Sequence, residues 1–255
     1  MDSATATAVA EKRVRVEDLR VKIFADGADL EGIRNLASNP VIAGFTTNPT
    51  LMRKAGISDY EAFAREALEL VGDRPISFEV FTDDFAEMAR EARVVSSWAD
   101  NVYVKVPVTD TSGNPGTELV RELSAEGVKL NVTGLFTLQQ VATIAAALEG
   151  GAPACVSLFA GRIADAGVDP VPMVVDAVAA LDHLPTVELI WASPREVLNI
   201  VQADRAGCHI ITVTHDLLAK LPSLGKDLTE FSLDTVRMFH RDGVGAGYRI
   251  VGADG

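Results

Sequence analysis

Lys105 lies in the run Asn101-Val102-Tyr103-Val104-Lys105-Val106-Pro107-Val108, where every neighbour but Asn101 is apolar or aromatic. Such a run reads as a buried strand, and an ammonium there is costly to desolvate. Burial favours the neutral amine. A neutral amine in a dry pocket can attack a substrate carbonyl and form a Schiff base. The bland alternative is a structural lysine held by a buried ion pair, to Glu79 or to Asp26.

Other polar residues recur where strand-like runs end. Asp26 closes the first run and Thr46-Thr47-Asn48 the second; Glu79 stands near the end of the third. Asn131 and Thr133 lie in the fifth, Ser157 in the sixth and Ser193 at the end of the seventh. One such residue is ordinarily a helix N-cap. With Lys105 in the fourth, seven strands carrying such residues toward one face predict a shared site. Asp26, Glu79 and Lys105 then form a set able to move protons around a carbinolamine and imine. Thr133 and Glu79 could hold a water between them. Arg162 and Arg195 follow runs six and seven closely and are expected to hold an anionic group beside helix starts.

The elements that must position these groups alternate along the chain. Strands are expected at Val21–Asp26, Ile42–Asn48, Pro75–Phe81, Val102–Pro107, Val128–Thr133, Ala154–Phe159, Val187–Ser193 and His209–Thr214. Helical patterns cover Leu30–Ala37, Asp59–Val71, Phe85–Trp98, Gly116–Glu126, Leu138–Leu148, Pro170–Leu181, Pro194–Asp204 and Leu228–Arg241, with start signals at Ser58 and Thr137. Eight strands with helical crossovers predict an α/β fold, a closed (β/α)8 TIM barrel. An open doubly wound sheet fits less well, because no Gly-rich dinucleotide loop follows the first strand. Residues 1–20 read as a disordered tail and 21–255 as one catalytic domain with an extra C-terminal helix from about 227. That helix, Leu228–Phe239, carries an apolar stripe that could pack on its own barrel or reach a neighbouring subunit.

Composition narrows the partners. The chain has 36 acidic against 23 basic residues and a net charge of −13, which argues against nucleic acid or an anionic membrane surface. No run approaches the ~20 apolar residues of a membrane span. The Ala/Thr-rich start lacks the pattern of a signal peptide, so cytoplasm is the expected compartment. Cys155 and Cys208 sit in apolar runs and read as buried hydrophobes. His183, His209, His215 and His240 all fall late in the chain, and only His215 lies near the expected site, as a loop residue, so no metal is expected.

Several of these segments together resemble the transaldolases, especially the smaller ones related to fructose-6-phosphate aldolase. The matching pieces are Phe24-Ala25-Asp26, Thr46-Thr47-Asn48-Pro49-Thr50, Lys105-Val106-Pro107, Asn131-Val132-Thr133, Ser157-Leu158-Phe159-Ala160-Gly161-Arg162 and Ala192-Ser193-Pro194-Arg195. The resemblance implies a barrel whose Lys105 forms a Schiff base with a ketose phosphate and passes a dihydroxyacetone unit to an aldose phosphate, without a cofactor. It also implies Asp26 as acid/base, and Glu79 and Thr133 as activators of a water. Thr47, Asn48, Asn131, Ser157, Phe159 and Ser193 are implied in substrate binding, and Arg162 and Arg195 in holding phosphate. Sugar phosphates are the implied partners, and a homo-oligomer the implied assembly. Glu79 stands where the related aldolases have glutamine, and Phe159 where they have tyrosine. Both choices are transaldolase-like. A fructose-6-phosphate-type aldolase and a non-catalytic sugar-phosphate-binding barrel are the alternatives. The loop Thr109–Pro115 and the C-terminal extension depart from the family pattern.

Overall fold

The computed structural model describes residues 14–250. These divide into two compact units, one running from Leu19 to Leu221 and the other comprising residues up to Asp18 together with those from Pro222 onward. The expected disordered tail falls mostly on residues 1–13, outside the described residues; within its remainder, Val16–Asp18 forms a short 3-10 turn.

The Leu19–Leu221 unit is a closed barrel of eight parallel strands in sequence order. They are β1 Lys22–Asp26, β2 Ile42–Thr46, β3 Ile76–Glu79, β4 Val102–Pro107, β5 Leu130–Leu135, β6 Ala154–Leu158, β7 Val187–Trp191 and β8 Ile210–Thr214. Around them run α1 Leu30–Ala37, α2 Pro49–Lys54, α3 Tyr60–Val71, α4 Phe85–Ser96, α5 Thr117–Ala125, α6 Leu138–Leu148, α7 Ala160–Asp165, α8 Pro170–Leu181, α9 Leu198–Arg205 and α10 His215–Leu218. The TIM-barrel fold expected from the alternating pattern is the fold observed.

The near-continuous apolar runs reflect burial on both faces of each strand, by helices outside and by side chains inside. Val104, Val106, Leu130, Val132 and Val156 are all fully buried. An apolar cluster of Phe24, Cys155, Ile190, Ala192 and Ile210 packs together in this unit. Gly44 makes room for it: a Cβ there would come within 2.5 Å of the Phe24 ring.

Three helices, α2, α7 and α10, are too short to show a sequence pattern of their own, and a fourth starts late. Asn48 ends the β2 run by capping α2, its Oδ1 accepting from Leu51 N–H at 2.9 Å, with Pro49 in the first turn. At α3 the cap is Asp59, not Ser58. The helix expected from Pro194 begins only at Leu198, because Asn199 Oδ1 accepts from the N–H groups of both Arg195 and Glu196 and folds that stretch into a turn.

The second unit contains α11, Leu228–Gly245, capped by Asp227. Lys226 pairs with Asp234 and lies 4.9 Å from the centre of the Phe231 ring. Leu228, Val236 and Phe239 are 81%, 60% and 65% exposed, so this helix keeps an apolar face in solvent.

Candidate active site

Parallel register carries the site around the barrel. Partners across a parallel ladder point the same way, and alternate residues of one strand share a face. Asp26 pairs with Thr46 and Thr46 with Ser77. Glu79 pairs with Lys105, Lys105 with Asn131, and Pro107 with Thr133. Hydrogen bonds that skip a strand show that this face is the interior. Asn131 on β5 donates to Ser77 Oγ on β3 at 3.0 Å, and Thr46 on β2 bonds Thr212 on β8.

Lys105 stands in the middle of this layer and is 7% exposed. Its Nζ donates to the Thr47 carbonyl at 2.8 Å and lies 3.4 Å from Glu79 Oε2. The structural alternative raised by the sequence, an ion pair to Glu79, is therefore present. That pair is long, and the same Nζ also donates to the Thr47 carbonyl.

Asp26 accepts from Thr46 Oγ1 at 2.8 Å and from Asn48 Nδ2 at 3.2 Å. Burial pushes its carboxyl above the ordinary value, against the Lys105 charge and the Thr46 and Asn48 hydrogen bonds, which pull it down. Asn48 thus has both ends of its amide in use, one at Asp26 and one capping α2. The Thr47 hydroxyl is also committed, donating to the Ser77 carbonyl at 2.9 Å. Ser157 donates to Asn131 Oδ1 at 2.7 Å, which fixes the amide so that Nδ2 faces Ser77. Thr133 is buried beside them.

The two arginines differ. Arg162 lies over the Phe159 ring, 5.7 Å from its centre, and makes no direct ion pair among the described residues. Phe159 in turn meets Phe136 at 5.6 Å. Arg195 is clamped: Nε donates to Asp165 at 2.9 Å, Nη2 also reaches Asp165, and Nη1 donates to the Ser193 carbonyl and hydroxyl at 3.1 and 3.0 Å. One of its five N–H donors is left over. Ser193 holds a φ of 63°, the left-handed region that favours glycine. Gly161 makes this possible, since a Cβ there would lie 1.5 Å from the Ser193 carbonyl oxygen.

A cleft of about 750 Å³ opens from Asp26 past Gly27, Leu51, Lys54, Arg195 and His215. His215, read from sequence as a loop residue, begins α10 and packs against glycine backbone. A Cβ on Gly27 or Gly32 would come within 2.4 Å of its ring. Burial lowers its pKa despite nearby Asp29 and Asp26. The glycines at 27 and 32 were the signal for it, visible only once β1 and β8 are neighbours. A second cleft, of about 700 Å³, lies at the strand-start end near Asp73, Asn101 and Lys129 and has none of these converging groups. Thr109 and Pro115 pair across the loop at the mouth, and Thr111 N–H binds Asp83 at 2.8 Å, so the loop is anchored to the β3–α4 connection. Among the described residues no helix is long and apolar enough to cross a membrane.

Residues 23–247 match the sequence profile of a family described as Transaldolase/Fructose-6-phosphate aldolase. A relative from Dehalococcoides mccartyi, named "Probable transaldolase", is 37% identical over 202 residues, covering 79% of this chain and 90% of its own length. Another from Listeria monocytogenes, "Probable transaldolase 2", is 34% identical over 227 residues, covering 88% of this chain and all of its own. Among solved structures, a mandelate oxidase superposes with a TM-score of 0.55 at 14% identity, over 86% of this chain and 80% of its own. A 2,3-dimethylmalate lyase gives 0.51 at 15% identity, over 94% and 88%. At such identities these two report only a shared barrel. With the profile spanning nearly the whole chain, and the relatives matching at a third or more of their positions, this protein belongs to the transaldolase/fructose-6-phosphate aldolase family.

Proposed function

We propose that the protein is a transaldolase, moving a dihydroxyacetone unit from fructose 6-phosphate or sedoheptulose 7-phosphate to an aldose phosphate. We place this activity in cytoplasmic pentose phosphate metabolism. The observation that carries the reading is the buried Lys105 amine, between the Thr47 carbonyl and Glu79, in a barrel of this family. The amine gives up a proton, for which Glu79 is the carboxylate in contact, and attacks the ketose carbonyl. Loss of water from the carbinolamine leaves an imine. Asp26, whose burial suits it to gain and lose a proton, takes the proton of the hydroxyl on the departing fragment as the C–C bond breaks. The aldose leaves and an enamine remains on Lys105. An acceptor aldehyde then re-forms the bond, Asp26 returns the proton, and water frees the new ketose. Arg162, unpaired by carboxylate, supplies the main grip on phosphate.

Glu79 bears on transfer against simple cleavage. A carboxyl group here, in place of the amide of the related aldolases, tunes the water that would protonate the enamine; if protonation is slow, the enamine waits for an acceptor. Fructose 6-phosphate alone should release little free dihydroxyacetone. Adding erythrose 4-phosphate should yield glyceraldehyde 3-phosphate and sedoheptulose 7-phosphate rapidly, and Glu79→Gln should raise the free dihydroxyacetone. Dihydroxyacetone release by the unaltered protein as fast as transfer would make it an aldolase instead.

A further inference from the structure

The backbone of β3 is one residue longer than its neighbour can support. Beyond Thr46, the end of β2, one further bond reaches β3, from Thr47 N–H to the Ser77 carbonyl at 3.2 Å. In a strand, the N–H and C=O of one residue point to the same side, and residues two apart repeat that side. Glu79 therefore directs both of its backbone groups at the place β2 has vacated. The other side is occupied normally, Val80 N–H donating to the Lys105 carbonyl at 3.1 Å.

Tyr60, at the start of α3, fills the vacated place. Its hydroxyl accepts from Glu79 N–H at 2.7 Å and donates to the Glu79 carbonyl at 2.9 Å. One phenol thus substitutes for the missing strand at a single residue. The ring is itself held edge-on by Phe81, Trp98 and Phe78, at 4.7, 5.6 and 6.2 Å between centres. The residue so braced carries the carboxylate that lies 3.4 Å from Lys105 Nζ.

We propose that Tyr60 is a positioning residue: by fixing the Glu79 backbone it aims the carboxylate at the Lys105 adduct and sets how the enamine divides between transfer and protonation. This inference rests on the reading of Glu79 and Lys105 given above. A side chain moved by an ångström loses its effect on a reacting centre, whereas substrate binding, carried by other groups, stays.

The test is Tyr60→Phe, which keeps the ring and deletes the hydroxyl. Transfer kcat should fall by about 10-fold with KM for fructose 6-phosphate within about two-fold of the parent, and the share of free dihydroxyacetone should rise as in Glu79→Gln. The double variant Tyr60→Phe/Glu79→Gln should be no worse than Glu79→Gln, because both changes act through one carboxylate. Placing 3-fluorotyrosine at position 60 keeps the contacts but weakens the hydroxyl as an acceptor, and should shift the same ratio in the same direction. Unchanged partition in these single variants, or losses that multiply in the double, would overturn the inference. Borohydride trapping separates the two levels. An adduct on the parent with unchanged partition in Tyr60→Phe overturns Tyr60 alone, while no adduct on the parent overturns the Schiff-base reading and this inference together.

Discussion

Asp26 is placed where its charge is least comfortable and its proton most useful. Burial raises its folded pKa above the unfolded value near 3.8. Below that value both states are protonated and the group adds no pH dependence. As pH rises toward the folded value, the unfolded chain releases its proton first, so stability falls through that window and stays lower above it. Asp26→Asn cannot titrate. Its melting temperature should therefore gain on the parent's as pH is raised above about 4, while transfer falls by about 10²–10⁴-fold. A stability gap that narrows with rising pH would show that the hydrogen bonds from Thr46 and Asn48, not burial, dominate the site. Residues of this kind were legible in sequence because an acid, an amide or a lysine at the end of an apolar strand is anomalous. Tyr60 and His215 were not, because a phenol in a helix and a histidine after a strand are ordinary until tertiary packing brings them to Glu79 and Gly27.

The two arginines follow β6 and β7, and the elements that carry them explain why they differ. Arg162 lies in α7, over Phe159, while Arg195 leaves a strained Ser193 and is held by Asp165. Arg162→Ala should raise KM for phosphorylated sugars by ~10–100-fold, the loss of a charge-assisted contact of ~1.5–3 kcal/mol, with little change for unphosphorylated donors. Arg195→Ala should raise it less. Steady-state kinetics on both donor types decides this, and equal losses on both would contradict a phosphate role. The same region shows the limit of pattern reading. Long apolar runs announced all eight strands, but α2, α7 and α10 span only four to six residues and offer too little periodicity to be seen. Pro194 looked like a helix start, and only the Asn199 side chain, reaching back four residues, makes it a turn.

At the scale of the molecule, a chain of net charge −13 binding anionic sugars depends on local cations, and Lys54, Arg195 and Lys220 line the cleft that leads to Asp26. Raised salt should then weaken phosphorylated substrates only modestly, since the attraction is short-ranged. The other whole-molecule feature is the exposed apolar face of α11. Leu228, Phe231, Val236 and Phe239 in solvent are what an interface residue looks like before its partner arrives. We expect a homo-oligomer that uses this helix. Size-exclusion chromatography with light scattering should return a multiple of the chain mass, falling on truncation before Leu228. A monomer at micromolar concentration would refute the assembly, and an oligomer that survives truncation would refute the part given to α11.

Everything in the mechanism depends on one bond, between Lys105 Nζ and the ketose carbonyl carbon. Incubation with fructose 6-phosphate and borohydride, followed by peptide mass spectrometry, reads that bond directly. The protein should be irreversibly inactivated with the added mass on the peptide containing Lys105. Lys105→Arg should be unlabelled and as inactive as Lys105→Ala, because a guanidinium stays charged and cannot attack. A label on another lysine, or transfer activity surviving in Lys105→Arg, would contradict the account.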